Sequence, residues 1–440
     1  MRCGRSRFAA AKIRRGFCGQ GAAAGKGKIA MNPLHEKTCR IARCSFQGGI
    51  RDIADACVAL EREGREVFHL EIGEPDFHSF AKAKDACKRA LDENRTHYSP
   101  TRGLEELRRA VCAYRQRKGH TLEPDTVVIT CGAEEALMTM MLALTDVGDE
   151  ILLLTPCFAA YRDQAFLAGA VPVEVPAVLG AHYGLDMERL ESAVTERTRI
   201  ILLNTPNNPS GCMVSREDMD RLVKFVKGRN LWLAADECYS EITYGGEHVS
   251  PLDYPEIAEQ SVVIGSASKA FAMTGWRVGF IHGPRQVVPA LTKAHHMMTS
   301  CACTFAQIGA AAAFREGESF TEACVEKFKE RRDAVTEALK RCPGADFPSP
   351  EGAFYVLPSI ERLKMRPLDF VMGLMNAEGV AVVPGDAFGI ENRARIAYTA
   401  AIDKVRAGME GFVRYYNERL EAAQKQVPPG AGAKNRAEKS

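Results

Sequence analysis

From Thr126 onward, short apolar runs alternate with longer stretches in which apolar residues recur every three or four positions. "TVVIT" leads into "GAEEALMTMMLALTDVG", and "DEILLLTP" into "CFAAYRDQAFLAG". "VPVEVP", "RIILLNTP", "LWLAADE" and "SVVIGSA" read as further strands, separated by helical stretches such as "SREDMDRLVKFVKGRN". Short strands alternating with amphipathic helices predict an α/β fold with a mostly parallel sheet covered by helices. After about Ala310 the pattern changes. "SFTEACVEKFKERRDAVTEALKRC" is a long charged amphipathic helix, followed by "GAFYVLP", "PLDFVMGLMNAEG", "VAVVPGDAFG", "RARIAYTA" and a final helix. That order predicts a smaller α+β domain, on which a helix from "GGIRDIADACVALEREG" is expected to pack. The expected boundaries are 76–310 for the large domain and 41–75 with 311–424 for the small one. Residues 1–40 are then a basic leader and 425–440 a disordered tail.

Length agrees with this division, since 440 residues exceed what one core normally serves. The net charge of +2 is unevenly placed. Residues 1–35 hold eight Lys or Arg and no acid, so the remainder carries about −6 (+2 minus 8). A nucleic-acid-binding surface on the main body is therefore not expected. The leader is Ala/Gly-rich and lacks a continuous apolar core, which leaves an over-long gene start, a disordered segment or an organelle signal open. No apolar run approaches the roughly 20 residues that span a bilayer. The 15 cysteines form no C-x-x-C pair, so no metal-ligand spacing is present and no metal is expected. An odd number of scattered cysteines fits free thiols in a reducing cytoplasm.

Chemistry gathers where strands end: "ITCGAEE", "LLTPCF", "LLNTPNNPSG", "AADECY" and "GSASK". In parallel sheets ligands bind beyond those ends. Lys269 follows a buried strand, with Arg277 eight residues on; a nearby cation in a partly dry site makes an amine less basic and more nucleophilic. Asp236 closes the apolar strand "LWLAAD", where an unpaired carboxylate is costly, and is expected to take a cationic partner. Ser266, Ser268 and Arg277 supply donors suited to a phosphate, as does the glycine turn opening a helix in "CGAEEAL". An amine, a buried carboxylate and a phosphate cup together describe pyridoxal phosphate held as a Schiff base.

From about residue 45 to about residue 415 the chain resembles the class I/II pyridoxal-phosphate-dependent aminotransferases of fold type I, which are aspartate aminotransferase-like. The resemblance is carried by "IGEPDF" (72–77), "HYSPTRGLEELRRAV" (97–111), "NTPNNPSG" (204–211), "ADECYSEITY" (235–244), "SASKAFAMTGWRVG" (266–279) and "ARIAYTA" (394–400). It implies that Lys269 binds the cofactor and moves its protons, and that Asp236 keeps the ring nitrogen protonated. Tyr239 and Asn208 would bond the ring 3′ oxygen, and Phe158 would stack on the ring. Ser266, Arg277 and the backbone of Ala133 and Glu134 would hold the phosphate. Arg395 would grip the substrate α-carboxylate near Gly73, with Asn208 beside it. Tyr98 would reach the phosphate of a neighbouring subunit, implying a homodimer with shared sites. The implied reaction is ping-pong exchange of an amino group between an amino acid and a 2-oxo acid.

Some positions depart from the family pattern. Ala133 stands where relatives often have glycine. "HSF" follows "GEPDF", so His78, Ser79 and Phe80 are expected at the substrate entrance, and "TSCACTF" leaves the side-chain pocket unassigned. Arg102 is a candidate for receiving an acidic side chain. Two alternatives keep the fold: a lyase that eliminates a β-substituent, and a non-catalytic aminotransferase-like sensor. The amino donor is not legible in the sequence.

Overall fold

The computed structural model describes residues 50–180 and 183–425; the readings of the leader and of the tail beyond Lys425 fall outside them. Apart from a short antiparallel pair, Val178–Leu179 with Tyr183–Gly184, the strands among the described residues run Phe68–His69 (β1), Val127–Thr130 (β2), Glu150–Thr155 (β3), Val171–Pro176 (β4), Thr198–Asn204 (β5) and Trp232–Asp236 (β6). They continue with Ser261–Ser266 (β7), Gly279–His282 (β8), Tyr355–Val356 (β9), Val380–Ala381 (β10), Val383–Pro384 (β11) and Ala394–Ala397 (β12).

Seven of these form one sheet in the order β2-β8-β7-β6-β5-β3-β4. Neighbours pair in parallel except at β8, which runs antiparallel to both β2 and β7. The continuous apolar runs are explained by cover on both faces. Along β3, Ile151 and Leu153 point to one side with Val128, Ile200, Leu202 and Ile264, packed against Leu137, Met140 and Leu291. Leu152 and Leu154 point to the other side with Ile201 and Leu203, against Met219, Leu222 and Val223. The period of two along each strand divides one run between two cores. The edge near β2 and β8 is closed by the helices Glu105–Arg117 and Thr304–Glu316, through residues such as Val127, Ile129, Phe280, Val111 and Phe314.

A further core gathers Ile53, Leu60 and Leu70 with Phe328, Tyr355, Phe370, Leu374, Ile396 and Phe412. Its strands are the parallel pair β1–β10 and the antiparallel trio β9-β12-β11. The helices Ile50–Arg62, Glu318–Leu339, Pro367–Glu378 and Ile402–Lys425 cover it. The expected helix in "GGIRDIADACVALEREG" thus packs where the pattern places it, through Ile53, Cys57 and Leu60.

Candidate active site

The carboxyl ends of β5, β6 and β7 open into a cavity of about 560 Å³. Its wall includes Gly73, Ala133, Glu134, Phe158, Asn208, Asp236, Tyr239, Ser266, Lys269, Arg277 and Arg395. The cavity thus gathers the residues assigned to the cofactor and to the substrate carboxylate except Tyr98, which does not line it and is 89% exposed.

Lys269 sits in a single helical turn, Ala267–Ala270, directly after β7. Its Nζ donates a 2.7 Å hydrogen bond to the Gly73 carbonyl. Burial lowers the pKa of this amine; Arg277 and Arg395 act in the same direction, while Cys238 and Glu74 oppose. Ser266 caps the same turn, its hydroxyl accepting from Ser268 N at 3.0 Å. Arg277 has a left-handed backbone, φ +54°, and donates to the Thr274 carbonyl at 2.9 Å. Opposite it, Gly132 (φ +84°) precedes the helix Ala133–Leu144. A Cβ at Gly132 would come within 2.6 Å of the Arg277 guanidinium and push it aside, and the positive φ itself favours glycine. The arginine and the N–H groups of that helix start consequently face one volume.

Asp236 is buried at the end of β6. No cation pairs with it among the described residues. It accepts from the Tyr161 hydroxyl at 2.6 Å and from Cys238 N at 3.1 Å. Burial raises its pKa, and those two hydrogen bonds pull the other way. A phenol from the helix Ala160–Ala168 thus supports the carboxylate from the protein side. Its neighbour Glu237 does have a cation, Arg115, at 2.8 Å.

Arg395 is the charged residue of the fully buried strand β12. Its guanidinium donates to Asn208 Oδ1 at 3.2 Å and to the Glu71 carbonyl, and its Nε is buried without a partner. Tyr355 lies with its ring 4.7 Å from that guanidinium, and its hydroxyl is 3.0 Å from the Tyr239 hydroxyl. A Cβ at Gly73 would collide with the Tyr355 hydroxyl. Tyr161 and Tyr355 were not singled out by sequence reasoning, because an aromatic in a helix or strand normally signals core.

Four residues expected near the substrate lie outside this wall. Arg102 does not line the cavity; its guanidinium bonds the Asp125 carbonyl at 3.2 Å and lies 3.5 Å from the Asp125 carboxylate. His78 and Ser79 line an adjacent groove with Trp276 and Cys303, and Phe80 instead packs on Phe320.

The family model "Aminotransferase class I and II" matches residues 65–408. An aspartate aminotransferase of Geobacillus stearothermophilus is 33% identical, with 83% of this chain aligned to 95% of that protein. A probable N-acetyl-LL-diaminopimelate aminotransferase of Bacillus subtilis is 34% identical, over 86% and 95%. The solved structure of a double mutant of the Thermus thermophilus aspartate aminotransferase superposes with a TM-score of 0.82 at 32% identity, covering 86% of this chain and 99% of that one. The chain belongs to the class I and II aminotransferases. It has the fold type I architecture, acts as an aminotransferase on amino and 2-oxo acids and depends on pyridoxal phosphate.

The residues present fit that cofactor. The cavity offers an amine of lowered pKa, a buried carboxylate, an anion cradle that a side chain at Gly132 would fill, and an arginine with an unsatisfied buried N–H. Among the described residues no helix is long and apolar enough to cross a membrane.

Proposed function

We propose that Lys269 holds the cofactor and moves protons at the substrate Cα while an L-amino acid exchanges its amino group with a 2-oxo acid. The observation that carries this reading is the convergence of Lys269, Asp236 and Arg395 on one cavity. When bound, pyridoxal phosphate supplies an aldehyde carbon to carry the amino group and a ring that withdraws the Cα electrons. Lys269 is suited to take and return a proton because burial and two guanidinium groups favour its neutral form. Asp236 holds a proton at the ring nitrogen, and Tyr161 orients the carboxylate. Asn208 gives its Oδ1 to Arg395, which leaves its amide protons for the ring 3′ oxygen beside Tyr239. Phe158 supplies an aromatic face. Ser266, Arg277 and the N–H groups of Ala133 and Glu134 take the phosphate, and Arg395 takes the α-carboxylate next to Gly73.

Lys269, Arg277 and Arg395 are the cations of the cavity wall among the described residues, and each has a task. The donor's side chain therefore meets no further cation from this subunit. A homodimer is supported by Tyr98 and Met297, which are 89% and 73% exposed. Their segments meet where Thr101 Oγ1 lies 3.4 Å from His296 Nδ1, and exposed apolar side chains so grouped mark a partner surface. Free thiols among the described residues support a reducing, cytoplasmic setting.

The test is the visible spectrum of the purified holoenzyme, titrated with single L-amino acids in the absence of any oxo acid. A yellow band that one donor converts and 2-oxoglutarate restores is the expected result, and it names the donor. A band that never converts while pyruvate or ammonia is released would replace transfer by elimination.

A further inference from the structure

Behind the wall that carries Arg395, the helix Ile50–Arg62 meets β1 and the residues after it. Cys57 and Glu61 lie one turn apart on that helix, and His69 and Glu71 are two residues apart on the strand side. One ligand atom each from Cys57, His69 and Glu71 lies within 4.8 Å of the others. Cys57 Sγ is 4.0 Å from Glu71 Oε1 and 3.6 Å from Met375 Sδ. His69 Nδ1 is 2.8 Å from Glu71 Oε1, while its Nε2 is 3.1 Å from Glu61 Oε1. Glu71 is only 5% exposed, and its second oxygen, Oε2, is buried with no hydrogen-bond partner. A buried carboxylate oxygen left without a donor is costly, and a cation would satisfy it.

We propose that Cys57, His69 and Glu71 bind one divalent ion of the zinc class, with the Met375 thioether or a water in the fourth position. Thiolate, imidazole and carboxylate form a borderline-soft set that suits zinc and excludes magnesium and calcium, which take oxygen ligands. Tetrahedral zinc bonds of roughly 2.0–2.3 Å put ligand atoms about 3.3–3.8 Å apart, so an ion would open the 2.8 Å contact of His69 Nδ1 with Glu71 Oε1 and draw the Cys57 sulfur inward by up to about 1 Å. With Nδ1 on the ion, Nε2–H is left to Glu61, the carboxylate–histidine–metal arrangement that fixes an imidazole's tautomer and orientation. The His69 side chain is 35% exposed, which gives an ion a way in. A protonated imidazole bridging Glu61 and Glu71 would use the same two contacts with Cys57 as core packing, but it leaves Glu71 Oε2 without a partner. The site backs directly onto the cofactor cavity, whose wall includes Glu71, and the Glu71 carbonyl accepts from Arg395.

The full-chain holoenzyme is freed of metal with a chelator, then titrated with zinc chloride against a chromophoric zinc indicator and, separately, with cobalt(II). One zinc per chain and a thiolate-to-cobalt charge-transfer band are expected. Cys57→Ser should remove the band, His69→Asn should weaken zinc binding about a hundredfold, and Glu61→Gln should weaken it roughly 10–100-fold. Circular dichroism and the cofactor's absorbance show that each variant is folded and loaded. A wild-type chain that takes up no zinc overturns the proposal, whatever the variants do. So does a chain whose zinc uptake and cobalt band persist in both Cys57→Ser and His69→Asn, since other cysteines would then hold the ion.

Discussion

The Tyr161 hydroxyl donates a 2.6 Å hydrogen bond to Asp236 Oδ2 where β6 meets the cavity. This bond counters the effect of burial, which raises the pKa of the carboxylate. Tyr161→Phe is expected to raise it further and to weaken cofactor binding roughly tenfold, the loss of one hydrogen bond to a charged group. Fluorescence titration of the apoprotein measures this, and an unchanged dissociation constant would show that Asp236 needs no such support.

The lowered pKa of Lys269 sets the pH dependence of cofactor uptake. The reactive neutral amine is populated at lower pH than in a free lysine, so the uptake rate of the apoprotein should level off below pH 10.5. A stopped-flow profile still climbing beyond that value would contradict the assignment. Lys269→Ala should lower kcat by at least about 10²–10⁴-fold.

Arg395→Ala removes the guanidinium assigned to the α-carboxylate. A buried charged pair lost in this way costs about 2–5 kcal/mol, so kcat/KM for the amino acid should fall by at least about thirtyfold. Cofactor affinity should change little. Steady-state kinetics combined with the cofactor titration separate the two effects.

Gly132→Ala combines a left-handed backbone with a close approach to Arg277. A cost of about 1–3 kcal/mol in stability is expected, together with weaker binding of inorganic phosphate by the apoprotein. Thermal melts with and without phosphate read both quantities.

Arg115 and Glu237 form a buried ion pair at 2.8 Å. Burial alone would raise the pKa of Glu237, but Arg115 and the Ser250 hydroxyl hold it below its ordinary value. The pair therefore adds stability above about pH 4.5, which is lost as the pH falls through the lowered pKa. Arg115→Met strands the carboxylate and should cost about 3–5 kcal/mol, whereas Arg115→Met with Glu237→Gln should regain much of it. Urea melts at pH 7 and pH 4 test both statements.

The parallel sheet was legible because its strands are apolar on both faces, and the lysine, carboxylate and arginine groups were legible because they break that pattern at strand ends. What a run of residues does not encode is which segments meet in space. Tyr161 and Tyr355 read as ordinary core positions until Asp236 and Arg395 are placed beside them. Arg102 lies in a motif of the family, yet an acceptor at Asp125 draws it outward. The Cys57, His69 and Glu71 group has no ligand spacing along the chain, because a helix and a strand supply it jointly.

The reversed strand β8 begins where β7 ends, so Lys269 and Arg277 lie at the two ends of one short connection. Arg395 reaches the same cavity only from β12, near the end of the described chain. As the polypeptide leaves the ribosome, every group assigned to the cofactor emerges before the guanidinium assigned to the substrate α-carboxylate. A chain cut short of residue 394 would lose its grip on an amino acid together with β12 and the helix Ile402–Lys425, part of the core around Phe328 and Phe370.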